Sequence, residues 1–172
     1  MTHTHLVVMG VAGCGKSTVA RALQDVLGWP FAEGDEFHPL ANIVKMSEGT
    51  PLTDHDRWPW LDTIVDWTAK QDRAGLDTIV TCSALRRVYR DRLRTAPGRT
   101  VFLHLTGSEE LLAQRMAARA NHFMPASLLP SQFATLEPLG GDEAGAAVDI
   151  DAPVDAIVAA ALDALTLSPT TH

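Results

Sequence analysis

The sequence predicts an α/β domain, a three-layer sandwich built on a five-stranded parallel sheet. Three observations carry that prediction. Short apolar runs alternate with stretches at helical spacing along the chain, the pattern of successive βαβ units. The first apolar run ends directly in a glycine-rich turn that opens a helix. Finally, 172 residues, 46% hydrophobic and 20% charged, suffice for one buried core and exclude a disordered or low-complexity chain.

The elements follow in order. Residues 5–9 form a compact apolar run, as expected of a strand buried on both faces. Residues 17–27 place Val19, Ala20, Leu23 and Leu27 at helical spacing, with Gly28 as the stop. A second short run, 29–33, leads to Gly34-Asp35, and 78–82 and 100–105 are the third and fourth strand candidates. A weaker fifth lies at 146–150. Helices are expected at about 60–73, 84–94, 109–120 and 154–165. Residues 37–54 and 121–132, the latter with Pro125 and Pro130, fit this scheme poorly, as functional inserts do. With no composition break and no internal repeat, residues 1–172 are expected to be one domain, with a frayed tail at 166–172.

Composition narrows the function classes. A formal net charge of −7 argues against a general nucleic-acid binder. No apolar run approaches the ~20 residues of a membrane helix. The opening Met-Thr-His-Thr-His lacks the parts of a secretory signal, so a cytoplasmic location is expected. Cys14 and Cys82 have neither disulfide-scaffold nor metal-site spacing and are expected to be packed thiols.

Gly10-Val11-Ala12-Gly13-Cys14-Gly15-Lys16-Ser17 fits G-x-x-x-x-G-K-[ST], with Thr18 next. Successive backbone N–H groups wrapping a polyphosphate need glycine wherever a Cβ would obstruct the approach. The helix that follows adds its N-terminal dipole. Lys16 is placed to reach the β- and γ-phosphates of ATP, and the Ser17 hydroxyl to ligate Mg²⁺. The chain is therefore expected to be a P-loop NTPase. A guanine-binding N/T-K-x-D stretch is absent, and the run at 78–83 ends in Cys-Ser rather than in an acidic metal ligand. The acidic role falls to Asp35, at the end of the second strand, where strand ends share one rim. A carboxylate there can orient an acceptor hydroxyl, take its proton or hold a metal-bound water.

At this rim the sequence resembles the gluconokinase family. The resemblance rests on Gly34-Asp35-x-x-His38-Pro39, on Asn42 through Leu61 with Lys45-Met46, Pro51-Leu52, Asp54, Asp56-Arg57 and Pro59-Trp60, and on Cys82-Ser83-Ala84-Leu85-Arg86-Arg87-x-Tyr89-Arg90-Asp91. Arg119-x-x-His122-Phe123 and Gln132-Phe133-x-x-Leu136-Glu137 complete it. It implies ATP-dependent phosphorylation of D-gluconate to 6-phosphogluconate, on a nucleoside-monophosphate-kinase-like fold, commonly as a homodimer. Arg86 stands where many relatives carry lysine, a planar fork in place of a point donor.

The residues make chemical sense beside the resemblance. Gluconate is a carboxylate with a chain of hydroxyls, and an arginine suits the carboxylate. Arg57 is that partner, or a helix-surface ion-pair partner of Asp54 or Asp56. His38 contacts hydroxyls or is a buried structural histidine. Ser83 offers a hydroxyl at the rim, and Arg86 and His122 complete the expected substrate set. Trp60, Ile64 and Trp67 at helical spacing read as core. Arg115 and Arg119 lie four apart on one helix face. With the insert at about 120–133 they read as a lid that brings charge to the transferring phosphoryl group, with Arg119 catalytic and Arg115 on the nucleotide; the alternative is a surface loop. Residues 148–153 are expected to border the adenine. Kinases of another small hydroxy acid, shikimate-like, and a nucleotide-gated switch remain alternatives.

Overall fold

A computed structural model describes residues 2–118 and 129–169. Its centre is a wholly parallel five-stranded sheet in the order β2-β3-β1-β4-β5. The strands are β1 (Thr4–Met9), β2 (Phe31–Glu33), β3 (Thr78–Thr81), β4 (Arg99–Thr106) and β5 (Gly145–Asp149). The helices are α1 (Lys16–Leu27), α2 (Leu40–Ser47), α3 (Asp54–Arg73), α4 (Arg87–Leu93), α5 (Glu109–Ala117), α6 (Leu129–Thr135) and α7 (Val154–Leu165).

β1 shows why this layering forms. Leu6 and Val8 face a core shared with α1, α5 and α7, while Val7 and Met9 face a second core shared with α3 and α4. Alternate side chains point to opposite faces, so a strand apolar at every position needs helices on both sides. The third layer follows from the first run of the sequence.

Boundaries differ from the sequence expectation in three places, each for a local reason. α3 starts at Asp54 rather than near residue 60. Thr53 and Asp56 form a reciprocal capping box, with bonds of 2.9 and 3.1 Å, and this fixes the start despite Pro59 in the second turn. Residues 37–54 are not irregular throughout: a 3₁₀ turn (Gly34–Phe37) ends at their start, and α2 occupies 40–47. α4 begins at Arg87, later than expected, because Ala84 takes a positive φ of 46° that a helix cannot include. In the region expected to be a lid, Leu129–Thr135 forms α6; Arg119, His122 and the rest of 119–128 lie outside the described residues.

Candidate active site

The phosphate loop joins β1 to α1 along the rim formed by the carboxyl ends of the strands. Gly15, at φ 89°, is the N-cap of α1, and no side chain caps that helix start. The first turn of α1 also carries no acidic residue. Its leading N–H groups are left uncapped by any side chain at the positive end of the helix dipole, which suits a bound phosphate. The Lys16 ammonium donates to the carbonyls of Gly10 at 2.9 Å and Val11 at 3.1 Å, curling over the loop. The Gly10 N–H donates to the Ser83 carbonyl at 3.2 Å, tying the loop to the segment that follows β3.

Ser17 reveals a partner that sequence reasoning missed. Its hydroxyl donates to Glu33 Oε2 at 2.8 Å, and the Thr81 hydroxyl donates to the same oxygen at 2.8 Å. Glu33 is the last residue of β2, and the sequence reading counted it only as part of the strand. The signal was present: Glu33 and Asp35 flank one glycine at a strand end. That glycine is required, because a Cβ on Gly34 would sit 1.8 Å from the Thr81 carbonyl oxygen. Close approach of this turn to β3 sets both carboxylates at the rim.

A cavity of about 270 Å³ opens beside the loop. Lys16 and Asp35 line it together with His38, Arg57, Ser83 and Arg86. Six residues singled out from the sequence, contributed by four segments of the chain, thus share one space.

The environment of His38 defines its chemistry. The ring is buried and stacks on Trp60 at 4.0 Å between centroids, 16° from parallel. Burial, and then the Arg57 charge, lower its pKa to about 4, so the ring is neutral near pH 7. Asn42 Nδ2 lies 3.2 Å from His38 Nδ1 and 2.9 Å from the Asp56 carbonyl. An amide NH₂ only donates, so Nδ1 accepts and the ring proton resides on Nε2, which lies 4.0 Å from Asp35 Oδ1. Trp60 serves the core, as expected, and its indole N–H also donates to the Gly34 carbonyl at 2.7 Å, bracing the turn that carries Asp35.

Arg57 and Arg86 are organised by Asp54, expected only as a surface ion-pair partner of Arg57, and by Tyr89, to which the sequence gave no separate role. Arg86 Nη1 donates to Asp54 Oδ2 at 2.7 Å, and the Tyr89 hydroxyl donates to Asp54 Oδ1. Arg57 Nη1 donates to the Leu52 carbonyl at 2.5 Å and to the Tyr89 hydroxyl at 3.1 Å, while its nearest approach to Asp54 is 4.0 Å. Both guanidinium groups lie over the Tyr89 ring, at 5.0 and 5.6 Å. The Tyr89 hydrogen bond and the two arginines hold the Asp54 carboxyl below the usual carboxylate range against the opposing effect of burial. Arg86 Nε also lies 3.7 Å from Glu137 Oε1, so the two guanidinium groups share two carboxylates. Gln132 of α6 closes another side, its Oε1 accepting from the Ala12 N–H at 2.6 Å.

A second cavity, about 440 Å³, lies on the other side of the loop, between Gly13, Thr18 and Arg115 and the start of α7 at Pro153, Val154 and Ile157. Arg115 Nη2 donates to the Ile150 carbonyl at 3.1 Å. Cys14 and Cys82 are buried, and burial pushes the Cys82 thiol up to about 12, as befits packed thiols. Among the described residues no group of three or more His, Cys, Asp or Glu is arranged to hold a metal, and no helix is long and apolar enough to cross a membrane.

Comparison with known proteins settles the relationship. The profile of the AAA domain matches residues 6–139. A gluconokinase of Gluconobacter oxydans is 56% identical over 138 residues, which is 80% of this chain and 78% of that protein. The chain belongs to the gluconokinase family. Among solved structures, a gluconokinase from Sinorhizobium meliloti is 51% identical with a TM-score of 0.85, covering 95% of this chain and 91% of that one. An unliganded sugar kinase from Janibacter superimposes with a TM-score of 0.94 at 49% identity, over 99% of both chains. The expected P-loop kinase fold is borne out.

Proposed function

We propose that this chain transfers the γ-phosphoryl group of ATP to the terminal hydroxyl of D-gluconate, giving 6-phospho-D-gluconate and ADP. The observation that carries the reading is convergence. The phosphate-loop ammonium of Lys16, the carboxylate of Asp35 and the guanidinium groups of Arg57 and Arg86 line one cavity.

The loop from Gly10 to Thr18 holds the triphosphate through its N–H groups. The purine side occupies the cavity bordered by Arg115 and Pro153. Arg57 and Arg86 take the gluconate carboxylate, and His38 Nε2–H and Ser83 address its hydroxyls. Asp35 accepts the proton of the attacking hydroxyl as its oxygen bonds to the γ-phosphorus, and the bond from that phosphorus to the β–γ bridging oxygen breaks. Lys16 stabilises the charge that develops on the transferring group. Arg119 and His122 are assigned to the transferring phosphoryl and the substrate on the sequence alone.

The Ser17 hydroxyl paired with the Glu33 carboxylate is a hard-oxygen set that suits Mg²⁺, which keeps waters and binds chiefly through substrate phosphates. Ser17 would ligate the ion and Glu33 would orient the hydroxyl, and the bound ion supplies charge neutralisation at the β- and γ-oxygens. A cytoplasmic homodimer completes the reading.

Phosphorus-31 NMR of the product tests the proposal. A single new phosphomonoester on the terminal carbon of gluconate is expected. Phosphate released as inorganic phosphate, or attached to another hydroxyl, would overturn it.

A further inference from the structure

The wall that carries Ser83 and Arg86 rests on a buried charge that takes no part in the chemistry above. Arg90, on α4, is fully buried, and Glu143 is buried beside it. Arg90 Nε donates to Glu143 Oε2 at 2.7 Å and Nη2 to Oε1 at 3.0 Å, a bidentate pair. The guanidinium also reaches two backbone carbonyls, Ala84 at 2.8 Å through Nη1 and Pro138 at 3.4 Å through Nη2. Glu143 is held in turn by Arg94 and by the Gly140 N–H at 3.0 Å. Burying such a pair costs heavily in desolvation, and apolar side chains of similar volume often serve stability as well or better. An apolar replacement could not hydrogen-bond the Ala84 carbonyl.

That carbonyl matters because Ala84 has φ 46°, a conformation L residues other than glycine rarely adopt. Ala84 sits between Ser83 and Leu85, which line the acceptor cavity, as does Arg86. The Ser83 carbonyl accepts from the Gly10 N–H, so the same turn meets the start of the phosphate loop. Glu137 secures its far side: the Glu137 N–H donates to the Leu85 carbonyl at 2.6 Å, and the Arg87 N–H donates to Glu137 Oε1 at 2.9 Å.

We propose that Arg90 is a positioning residue for the acceptor: anchored by Glu143, its guanidinium holds the Ala84 turn in its left-handed conformation and thereby sets Ser83 and Arg86 against the substrate. This rests on the gluconate kinase reading. It goes beyond it by assigning acceptor affinity to a residue that touches neither substrate nor nucleotide.

Steady-state kinetics of the Arg90→Lys variant beside the active wild-type enzyme test it. Lysine keeps the charge but cannot span Glu143 and the Ala84 carbonyl as the planar fork does. KM for gluconate should rise about 10-fold or more, while KM for ATP stays within about 2-fold. Adding Ala84→Gly should recover at least about 3-fold of the gluconate KM, because glycine adopts a positive φ without being held there. A lower melting temperature with both KM values unchanged, or a loss that glycine does not relieve, would overturn the proposal and leave Arg90 a purely structural residue. If Arg90→Lys does not fold, Glu143→Gln keeps Arg90 and the acceptor oxygen but removes the anchoring charge. The same acceptor-selective KM rise, about 3-fold, is then expected, and equal changes in both KM values would overturn the proposal. Failure of the wild-type enzyme to phosphorylate gluconate would instead strike the kinase reading.

Discussion

The phosphate loop and the acceptor cavity adjoin one another yet are built on opposite principles. The loop is one contiguous segment whose ligands are backbone N–H groups and one lysine, and the strand before it and the helix after it fix its geometry. The acceptor wall draws side chains from the turn after β2, the start of α3, the segment after β3 and α4, and their partners are distant in sequence. Arg86 and Asp54 are separated by 32 positions, and Arg90 and Glu143 by 53. A backbone cradle depends on glycines that leave no room for a Cβ, as at Gly10 and Gly13, and on its lysine. A side-chain wall can be retuned one residue at a time, with binding and chemistry affected separately.

Lys16→Ala should have the largest effect. Losing the ammonium removes charge stabilisation from the transferring phosphoryl group, and kcat should fall by about 10³-fold. Thermal unfolding should change little, since among the described residues the ammonium donates to the carbonyls of Gly10 and Val11, both within the loop itself. A folded variant with near-normal turnover would remove the loop from the account.

The next pair of variants splits the acceptor wall. Asp35→Asn should lower kcat by about 10²-fold with little change in KM for ATP, as expected on losing a general base. Arg57→Ala should act mainly on binding, raising KM for gluconate by about 10- to 100-fold, the range of a charge-assisted hydrogen bond. Exchanged phenotypes would mean that the carboxylate end and the reacting end of gluconate have been assigned the wrong way round.

The same contrast governs what the sequence disclosed. Parallel topology, two-sided burial of β1 and the phosphate loop were legible because each is written in adjacent residues or in a simple period. Lys16, Asp35, His38, Arg57, Ser83 and Arg86 each stand in a sequence motif, and all six line one cavity. Glu33 and Tyr89 carried no separate role and Asp54 only that of a surface ion-pair partner, because their importance lies in partners distant in sequence: the Ser17 and Thr81 hydroxyls for Glu33, Arg86 for Asp54 and Arg57 for Tyr89. The strain at Ala84 was equally invisible, since alanine in a helical pattern gives no sign of a positive φ. The capping box at Thr53 and Asp56 was readable in principle, but the expected start rested on the apolar spacing that begins at Trp60.

The smallest effect concerns pH. With its folded pKa at about 4, His38 should stay neutral across the neutral range, and kcat/KM for gluconate should show no inflection near pH 6.5 from this ring. The unfolded chain binds that proton near 6.5, so the contribution of neutral His38 to stability is complete above pH 6.5 and declines as pH falls towards 4. Chemical denaturation of wild type and His38→Gln at pH 7 and pH 4.5 reads this directly. The stability difference between the two proteins should shift in favour of the variant at the lower pH. An equal difference at both values would place the ring in a more solvated setting.

The most direct measurement of the account is ADP release from ATP across a panel of sugar acids, with shikimate and an acceptor-free control. The account predicts rapid release with D-gluconate, far slower release with shikimate, and almost none without acceptor. Slow hydrolysis indifferent to any acid, or equal turnover with shikimate and gluconate, would contradict the claim that the phosphate loop and the arginine-lined wall form one site for a single carboxylate-bearing polyol.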